Sequence, residues 1–225
     1  MMLDFKPLLQ FLTALDRHNN KPWFDANRNA YEKAKAINLE FAAILIQEVG
    51  KWDDGVALLQ PKECVFRINR DVRFSKNKDP YKNNMSVYLA PGGKKAERAG
   101  YYIHLQPSAS FVAGGFYQPN GDQLAKIRQE IDYNLAEWES ILQKKSFRNT
   151  FPKGLDRADA LKKAPRGYEP DHPGLAHLQL KSFVAQAPIA DEDVLQKSFI
   201  KNVVKSFQTL QPLISFLNRA VDDEG

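Results

Sequence analysis

The chain has 225 residues, of which 43% are hydrophobic and 26% charged, with 12 glycines, 13 prolines, a net charge of +5 and one cysteine, Cys64. That profile excludes disorder, collagen-like repeats and a disulfide scaffold, and a lone thiol neither closes an internal disulfide nor holds zinc through cysteines. The longest wholly apolar run, residues 41–46, is far short of the ~20 that cross a bilayer, and Asp4 without a basic segment does not read as a signal peptide, so a cytoplasmic protein with no membrane partner is expected.

Phe5, Leu8, Leu9, Leu12 and Leu15 recur at three- and four-residue spacing and predict a helix over residues 5–17. His18-Asn19-Asn20 breaks it, and Pro22 suits the first turn of a second helix running to about Val49. From residue 64 to 74 the period changes to two. Phe66, Ile68, Arg70, Val72 and Phe74 alternate with Val65, Arg67, Asn69, Asp71 and Arg73, which predicts a strand with one buried and one polar face. Residues 85–89, 101–105 and 110–113 repeat the alternation, and their short connections predict an antiparallel meander. Gly114-Gly115 then follows the last strand and points to a close backbone approach.

A third long helix, capped by Asp122, is predicted from Leu124, Ile127, Ile131, Leu135, Trp138 and Leu142. Four prolines make residues 144–174 irregular, and residues 181–187 suit one more strand. Asp191 caps a last helix carrying Leu195, Phe199, Val203, Phe207 and Leu210, which Pro212 kinks or restarts. The reading is one α+β domain over residues 1–225. Residues 1–60 are helical, 61–118 form a central antiparallel β-meander, and 119–225 are mainly helical with room for one further strand.

Familiar catalytic signatures are missing. Gly92-Gly93-Lys94-Lys95 lacks the spacing and hydroxyl of a phosphate loop, and the serine-elbow, zinc-protease, Cys-x-x-Cys and dinucleotide-binding patterns do not occur. His172 and His177, five apart beside Asp171 in a Pro-interrupted segment, are a weak ligand set, so neither a metal nor a cofactor is expected.

Charge is unevenly spread. Residues 61–107 hold ten basic and four acidic side chains, and residues 144–167 hold eight and two. Clustered cations attract anionic partners unless acidic helices of the same molecule neutralise them. The densest stretch is 67–82. On a strand, Arg67, Asn69, Asp71 and Arg73 share a face at intervals of about 6.5–7 Å. Asp71 would orient both arginines, leaving forked donors for a carboxylate or phosphate, while Ser75, Lys78, Tyr81 and Lys82 close over the anion from the loop. The same residues suit an ion-pair scaffold without a ligand, with Arg70 paired to a buried carboxylate and Tyr81 packed in a turn. Secondary candidates are Asn27, flanked by Trp23 and Tyr31 at four-residue spacing, together with His104 and Arg128.

Five motifs occur in order: Asn19-Asn20-Lys21-x-Trp23-Phe24, Ile68-x-Arg70-Asp71-x-Arg73-Phe74-Ser75, Lys78-x-Pro80-Tyr81-Lys82, Gly114-Gly115-x-Tyr117-x-Pro119 and Pro165-x-Gly167-Tyr168-x-x-Asp171-His172-Pro173. On these the chain resembles the uncharacterised bacterial family called domain of unknown function 2461. The resemblance covers nearly the whole chain and implies a single-domain protein. It implies no reaction, substrate or catalytic residue, and marks the Arg-Asp-x-Arg-Phe-Ser and Pro-Tyr-Lys segments as hallmarks compatible with a site or a folding core.

Three functions remain in order. The first is binding of an anionic ligand, either a phosphorylated or carboxylated small molecule or nucleic acid, with Tyr81, Tyr88, Tyr101 or Tyr102 available to stack bases. The second is an enzyme in which Asp71 is the base, Arg67, Arg73 and Lys78 stabilise charge, and Tyr81 or His104 moves a proton. The third is a protein-interaction or scaffold role with partners unspecified.

Overall fold

The computed structural model describes residues 3–222; the outermost parts of the predicted terminal segments, residues 1–2 and 223–225, lie outside the described residues. The chain is α+β, with helices before and after a four-stranded antiparallel sheet in the order β1-β2-β3-β4. In sequence these elements are α1 (Lys6–Arg17), α2 (Lys21–Ala26), α3 (Arg28–Val49), α4 (Asp54–Ala57), α5 (Pro61–Cys64), β1 (Met85–Leu89), β2 (Gly100–Leu105), β3 (Ser110–Phe116), α6 (Gly121–Tyr133), α7 (Leu135–Gln143), α8 (Lys145–Thr150), α9 (Leu175–Leu178), β4 (Phe183–Ile189), α10 (Asp191–Val194) and α11 (Phe199–Asp222). Contacts divide the chain into two compact units. The first holds residues up to Lys95, with Tyr102–Val112 and Pro188–Val204; the second holds Ala96–Tyr101, Ala113–Ala187 and residues from Lys205 onward.

In the first unit, α1 buries Leu8, Leu9, Phe11, Leu12 and Leu15, the stripe its spacing requires. Phe5, Phe41 and Phe199 meet there, Phe5 edge-on to both partners at 5.0 Å. Asn20 caps α2 by accepting the Trp23 N–H at 3.0 Å. The long helix expected from Pro22 to Val49 is interrupted at Asn27, whose backbone leaves helical geometry (φ −108°, ψ 23°) while its Nδ2 donates to the Trp23 carbonyl at 2.9 Å. Asparagine's side chain competes for backbone groups in this way, and the helix restarts beyond it.

The predicted strand over 64–74 does not form. Residue pairing is confined to isolated bridges, Val65 with Val87 and Asn69 with Tyr81. Alternation alone met no partner strand here, because the chain turns back on itself at Arg70. The Arg70 N–H donates to the Pro80 carbonyl at 2.9 Å and the Lys82 N–H to the Ile68 carbonyl at 2.8 Å, making a short arm with an irregular tip over 71–79.

In the second unit, Trp138, Phe147, Phe151, Phe183, Phe207 and Phe216 are fully buried. Asn120, not Asp122, caps α6: its Oδ1 accepts the Gln123 N–H at 3.0 Å while Gln123 reaches back to the Asn120 N–H at 2.9 Å. The helix predicted through Leu142 is divided at Asn134, where φ is −120° and ψ 38°. The further strand lies at Phe183–Ile189, two residues beyond its predicted position, and α11 runs through Pro212. Asp191 opens α10 rather than capping it, and its carboxylate accepts the Ser108 N–H at 2.9 Å, both residues belonging to the first unit.

Gly114 and Gly115 fall inside β3 rather than after it. At Gly115 φ is +126°, and a Cβ there would sit 1.9 Å from the Phe183 carbonyl oxygen, so no side chain fits. Replacing it with alanine combines forbidden backbone geometry with a backbone clash, and Gly115→Ala is expected to lower stability by about 3 kcal/mol or more. Urea denaturation of wild type and variant measures this; a loss below about 1 kcal/mol would contradict the close β3–β4 approach.

Candidate functional site

A cavity of about 290 Å3 lies within the first unit, walled by α3, residues 62–68, the start of β1 and Lys94. Its charged lining is wholly basic: Lys35, Lys62, Arg67 and Lys94. Tyr31, Leu39, Val65, Phe66, Ile68 and Met85 supply the apolar wall, and Asn38 and Asn84 contribute amides. Of the carboxylates adjacent in sequence to the lining, Glu40 is exposed and the other two are occupied. Glu32 accepts from Lys35 at 3.0 Å, and Glu63 accepts the Gln60 N–H at 2.9 Å.

The cations differ in their engagement. Lys94 Nζ donates to the Lys62 carbonyl at 2.6 Å, and Lys35 lies 5.7 Å from the Tyr31 ring centroid. The Glu32 hydrogen bond raises the proton affinity of Lys35. Arg67 makes no hydrogen bond or ion pair among the described residues, leaving its fork of donors available. Lys82 sits 5.5 Å from the Phe66 ring centroid; burial, then the charge of Arg67, lowers its pKa.

Asn38 stands apart. It belongs to the buried stripe of α3 with Ala34, Ile37, Phe41 and Ala42, is 4% exposed and lines the cavity, yet its Oδ1 has no hydrogen-bond partner. An enclosed acceptor left unpaired costs about 1–3 kcal/mol. Sequence reasoning overlooked Asn38, Lys35, Lys62 and Lys94 as groups lining one cavity. The legible signal was an amide at the four-residue spacing of an otherwise apolar stripe, Ala34-Asn38-Ala42.

Of the seven residues singled out from the sequence, Arg67 lines the cavity and Lys82 flanks it through Phe66. Asp71, Arg73, Ser75 and Lys78 lie on the arm and bond within it. Arg73 grips Asp71 with Nη2 to Oδ2 at 2.6 Å and Nε to Oδ1 at 3.0 Å, which holds the Asp71 carboxyl below its ordinary pKa and makes it a weak base. Arg67 stays outside that pair. Lys78 Nζ donates to the Val72 carbonyl at 3.0 Å, while Arg70 finds no carboxylate among the described residues and instead donates to the Asp79 carbonyl at 3.1 Å and Ser75 Oγ at 3.3 Å. Phe74, at the arm's tip, is 96% exposed.

Tyr81 is a packing residue, 7% exposed and stacked on Phe24 at 4.0 Å and 15°. Its N–H and carbonyl both bond the Asn19 side chain, at 3.1 and 2.9 Å. Tyr101 is likewise enclosed, so neither ring is available to stack a base. Asn27 is spent on its helix junction. Arg128, in the second unit, donates to the Leu178 and Leu180 carbonyls at 2.7 and 3.2 Å.

His104 belongs to a closed network in the first unit. Tyr102 Oη lies 2.8 Å from Ser86 Oγ and 2.9 Å from His104 Nδ1, and His104 Nε2 lies 2.9 Å from Gln106 Oε1. Gln106 Oε1 can only accept, so Nε2 carries the proton and Nδ1 accepts. Both ring nitrogens are thus engaged. Among the described residues, no three His, Cys, Asp or Glu side chains cluster as a metal site. No described helix is long and apolar enough to cross a membrane.

Burial lowers the pKa of His104 and of His177. For a base whose folded pKa lies below its unfolded value, near 6.5, folding is favoured above that value and loses this contribution as pH falls through the folded value. Stability should therefore fall as pH drops from 7 towards 5, with part of the fall removed in His104→Gln. A ring titration of His104 by NMR with its midpoint at or above 6.5 would contradict the burial argument.

A family model described as a conserved hypothetical protein (DUF2461) matches residues 7–216. No curated protein and no solved structure matches the chain.

Proposed function

The chain belongs to the DUF2461 family, and we propose that it binds a small organic anion in the cavity of its first unit. The observation carrying this reading is a cavity whose charged lining is entirely cationic and includes Arg67, which makes no hydrogen bond or ion pair among the described residues. Four cations line one cavity and, among the described residues, only Lys35 of them has a carboxylate partner, so the arrangement favours an occupant that carries negative charge. The apolar wall selects an organic body over a hydrated inorganic ion.

A thermal-shift series with sugar phosphates, nucleotides, aromatic and aliphatic carboxylates and inorganic phosphate tests this. A compound at a hundred times its Kd should add about 2.7 kcal/mol of stability. Arg67→Ala should weaken that compound about tenfold or more while leaving the ligand-free midpoint within about 0.5 kcal/mol of wild type, since Arg67 is exposed and unpaired. No shift across the series, or a shift unchanged in Arg67→Ala, would overturn the reading.

The arm supports a second reading, contact with nucleic acid. Phe74 stands exposed on a tip that also carries exposed Arg73, Lys76 and Lys78. Stacking with phosphate contacts would give oligonucleotide binding that falls steeply with salt and is lost in Phe74→Ala.

A further inference from the structure

We infer that His104 is a positioning residue for the cavity: protonation of its ring reverses a chain of hydrogen bonds through Tyr102 and Ser86 that ends on Asn84, in the cavity wall, and so tightens anion binding. This rests on the reading of the cavity as an anion site. The chain is continuous within the first unit. Asn84 Oδ1 lies 3.3 Å from Ser86 Oγ, Ser86 Oγ 2.8 Å from Tyr102 Oη, and Tyr102 Oη 2.9 Å from His104 Nδ1. Asn84 lines the cavity, whereas Ser86 is 3% exposed and keeps its proton within the chain.

The supply of protons decides the direction of each bond. With Nε2–H directed at Gln106 Oε1, neutral His104 has no proton on Nδ1. The 2.9 Å contact to Tyr102 then takes the phenol proton, and the 2.8 Å contact between the two oxygens takes the Ser86 proton. Ser86 Oγ also lies 3.3 Å from Nδ1, and a proton spent there is equally lost to Asn84. A protonated ring carries N–H on both nitrogens. Nδ1 then donates to Tyr102 Oη, the phenol donates to Ser86 Oγ, and the Ser86 proton is released to Asn84 Oδ1.

That last bond orients the amide. With its oxygen held at Ser86, Asn84 keeps Nδ2 as a donor, and Nδ2 makes no hydrogen bond among the described residues. Released, the amide has no bond fixing which end faces the cavity, and an oxygen turned inward repels the anion. What packs on the His104 ring is uncharged at neutral pH: Tyr102 on β2, Gln106 just past it, Ser86 on β1 and Phe111 on β3, stacked at 4.7 Å. Burial pushes up the phenol of Tyr102, and that of Tyr88 beyond it. Burial lowers the pKa of His104, so its ring takes up a proton as pH falls below about 6.5. Lys35, Lys62, Arg67 and Lys94 hold their charge throughout that range. His18, the other histidine of the first unit, stacks on Trp23 and takes no part in the chain.

The ligand-free full chain tests the chain of bonds by itself. Followed by NMR from about pH 8 to 5.5, the side-chain amide of Asn84 should shift with the same midpoint as the His104 ring. In Ser86→Ala, which cuts Asn84 from both Tyr102 and His104, the ring should still titrate and the amide should not follow. Ser86→Ala leaves Tyr102 bonded to Nδ1 and should fold; the wild-type comparison stands without it. Benzenesulfonate, an organic anion of constant charge over this range, tests the effect on binding. Calorimetry should find it bound about fivefold more tightly at pH 5.5 than at pH 8 in wild type, and alike at both in Ser86→Ala. By reciprocity, saturating benzenesulfonate should raise the His104 midpoint by about 0.7 pH in wild type, the logarithm of that fivefold gain.

An Asn84 amide that stays still while the ring titrates would overturn the inference and leave the anion site standing. Equal affinity at the two pH values in wild type would do the same. A pH dependence that survives in Ser86→Ala would mean that the charge of the ring acts on the anion directly, and would overturn the chain. Benzenesulfonate binding at neither pH would overturn the inference, and the anion site falls with it if the phosphates and carboxylates of the thermal-shift series also fail to bind.

Discussion

The first unit turns on the side chain of Asn19. Its Nδ2 donates to the Tyr81 carbonyl and its Oδ1 accepts the Tyr81 N–H, closing both backbone groups of a residue 62 positions away. An amide used in this way stands in for a neighbouring strand, and the arm needs one: between residues 68 and 82 only two ladder bonds form. The adjacent residue, Asn20, caps α2, which carries Phe24 under the Tyr81 ring. One pair of asparagines therefore starts a helix and fastens the arm to it. Each bond contributes about 0.5–1.5 kcal/mol net, but the geometric effect is larger. It fixes the base of the arm, from which Phe66 and Arg67 reach the cavity.

Elements whose periodicity has a local cause were legible in the sequence. The stripe of α1 needs only a core beside it, and the three strands after residue 84 are joined by connections too short for anything but antiparallel pairing. The segment 64–74 was not legible, although its alternation is as regular. A strand requires a partner edge, and alternation does not encode one. Here the chain folds back at Arg70, and Pro80 and Tyr81 take up its backbone groups instead. Three predicted helices are divided, two of them for a related reason: Asn27 and Asn134 sit within good helical periods, but each has a backbone that departs from helical geometry and a side chain that bonds the preceding turn, while the last breaks between α10 and α11, where Leu195 is 51% exposed.

The candidate site was legible only in its chemistry. The stretch between residues 61 and 107 that holds the excess of cations supplies Lys62, Arg67 and Lys94 to the cavity wall, and of the seven residues singled out from the sequence Arg67 lines it. What the sequence concealed was which cations stand apart from one another. Arg73 and Asp71 are two residues apart and neutralise each other locally, whereas Lys35, Lys62 and Lys94 converge from α3, α5 and the turn after β1. Convergence of that kind is a property of packing. A buried amide is different, since its position in the α3 stripe is readable from spacing alone, and an apolar residue there would have packed at no cost.

That cost bears on why the cavity is built as it is. Asn38 holds an acceptor away from any donor, and Lys82 holds its proton less firmly because burial and the charge of Arg67 both oppose it. Neither feature stabilises the fold. The second is relieved by an anion at Arg67, whose negative charge offsets the repulsion that Lys82 feels. Linkage makes the relation reciprocal: whatever an anion gains from Lys82 being protonated, Lys82 gains in proton affinity from the anion. Binding should therefore take up protons across the pH range in which Lys82 titrates. Protons bound per anion, read from the dependence of binding enthalpy on buffer ionisation at a series of alkaline pH values, connect the electrostatics of the cavity to its occupancy. An uptake of zero would mean that Lys82 does not sense the site, and that its depressed affinity is a matter of burial alone.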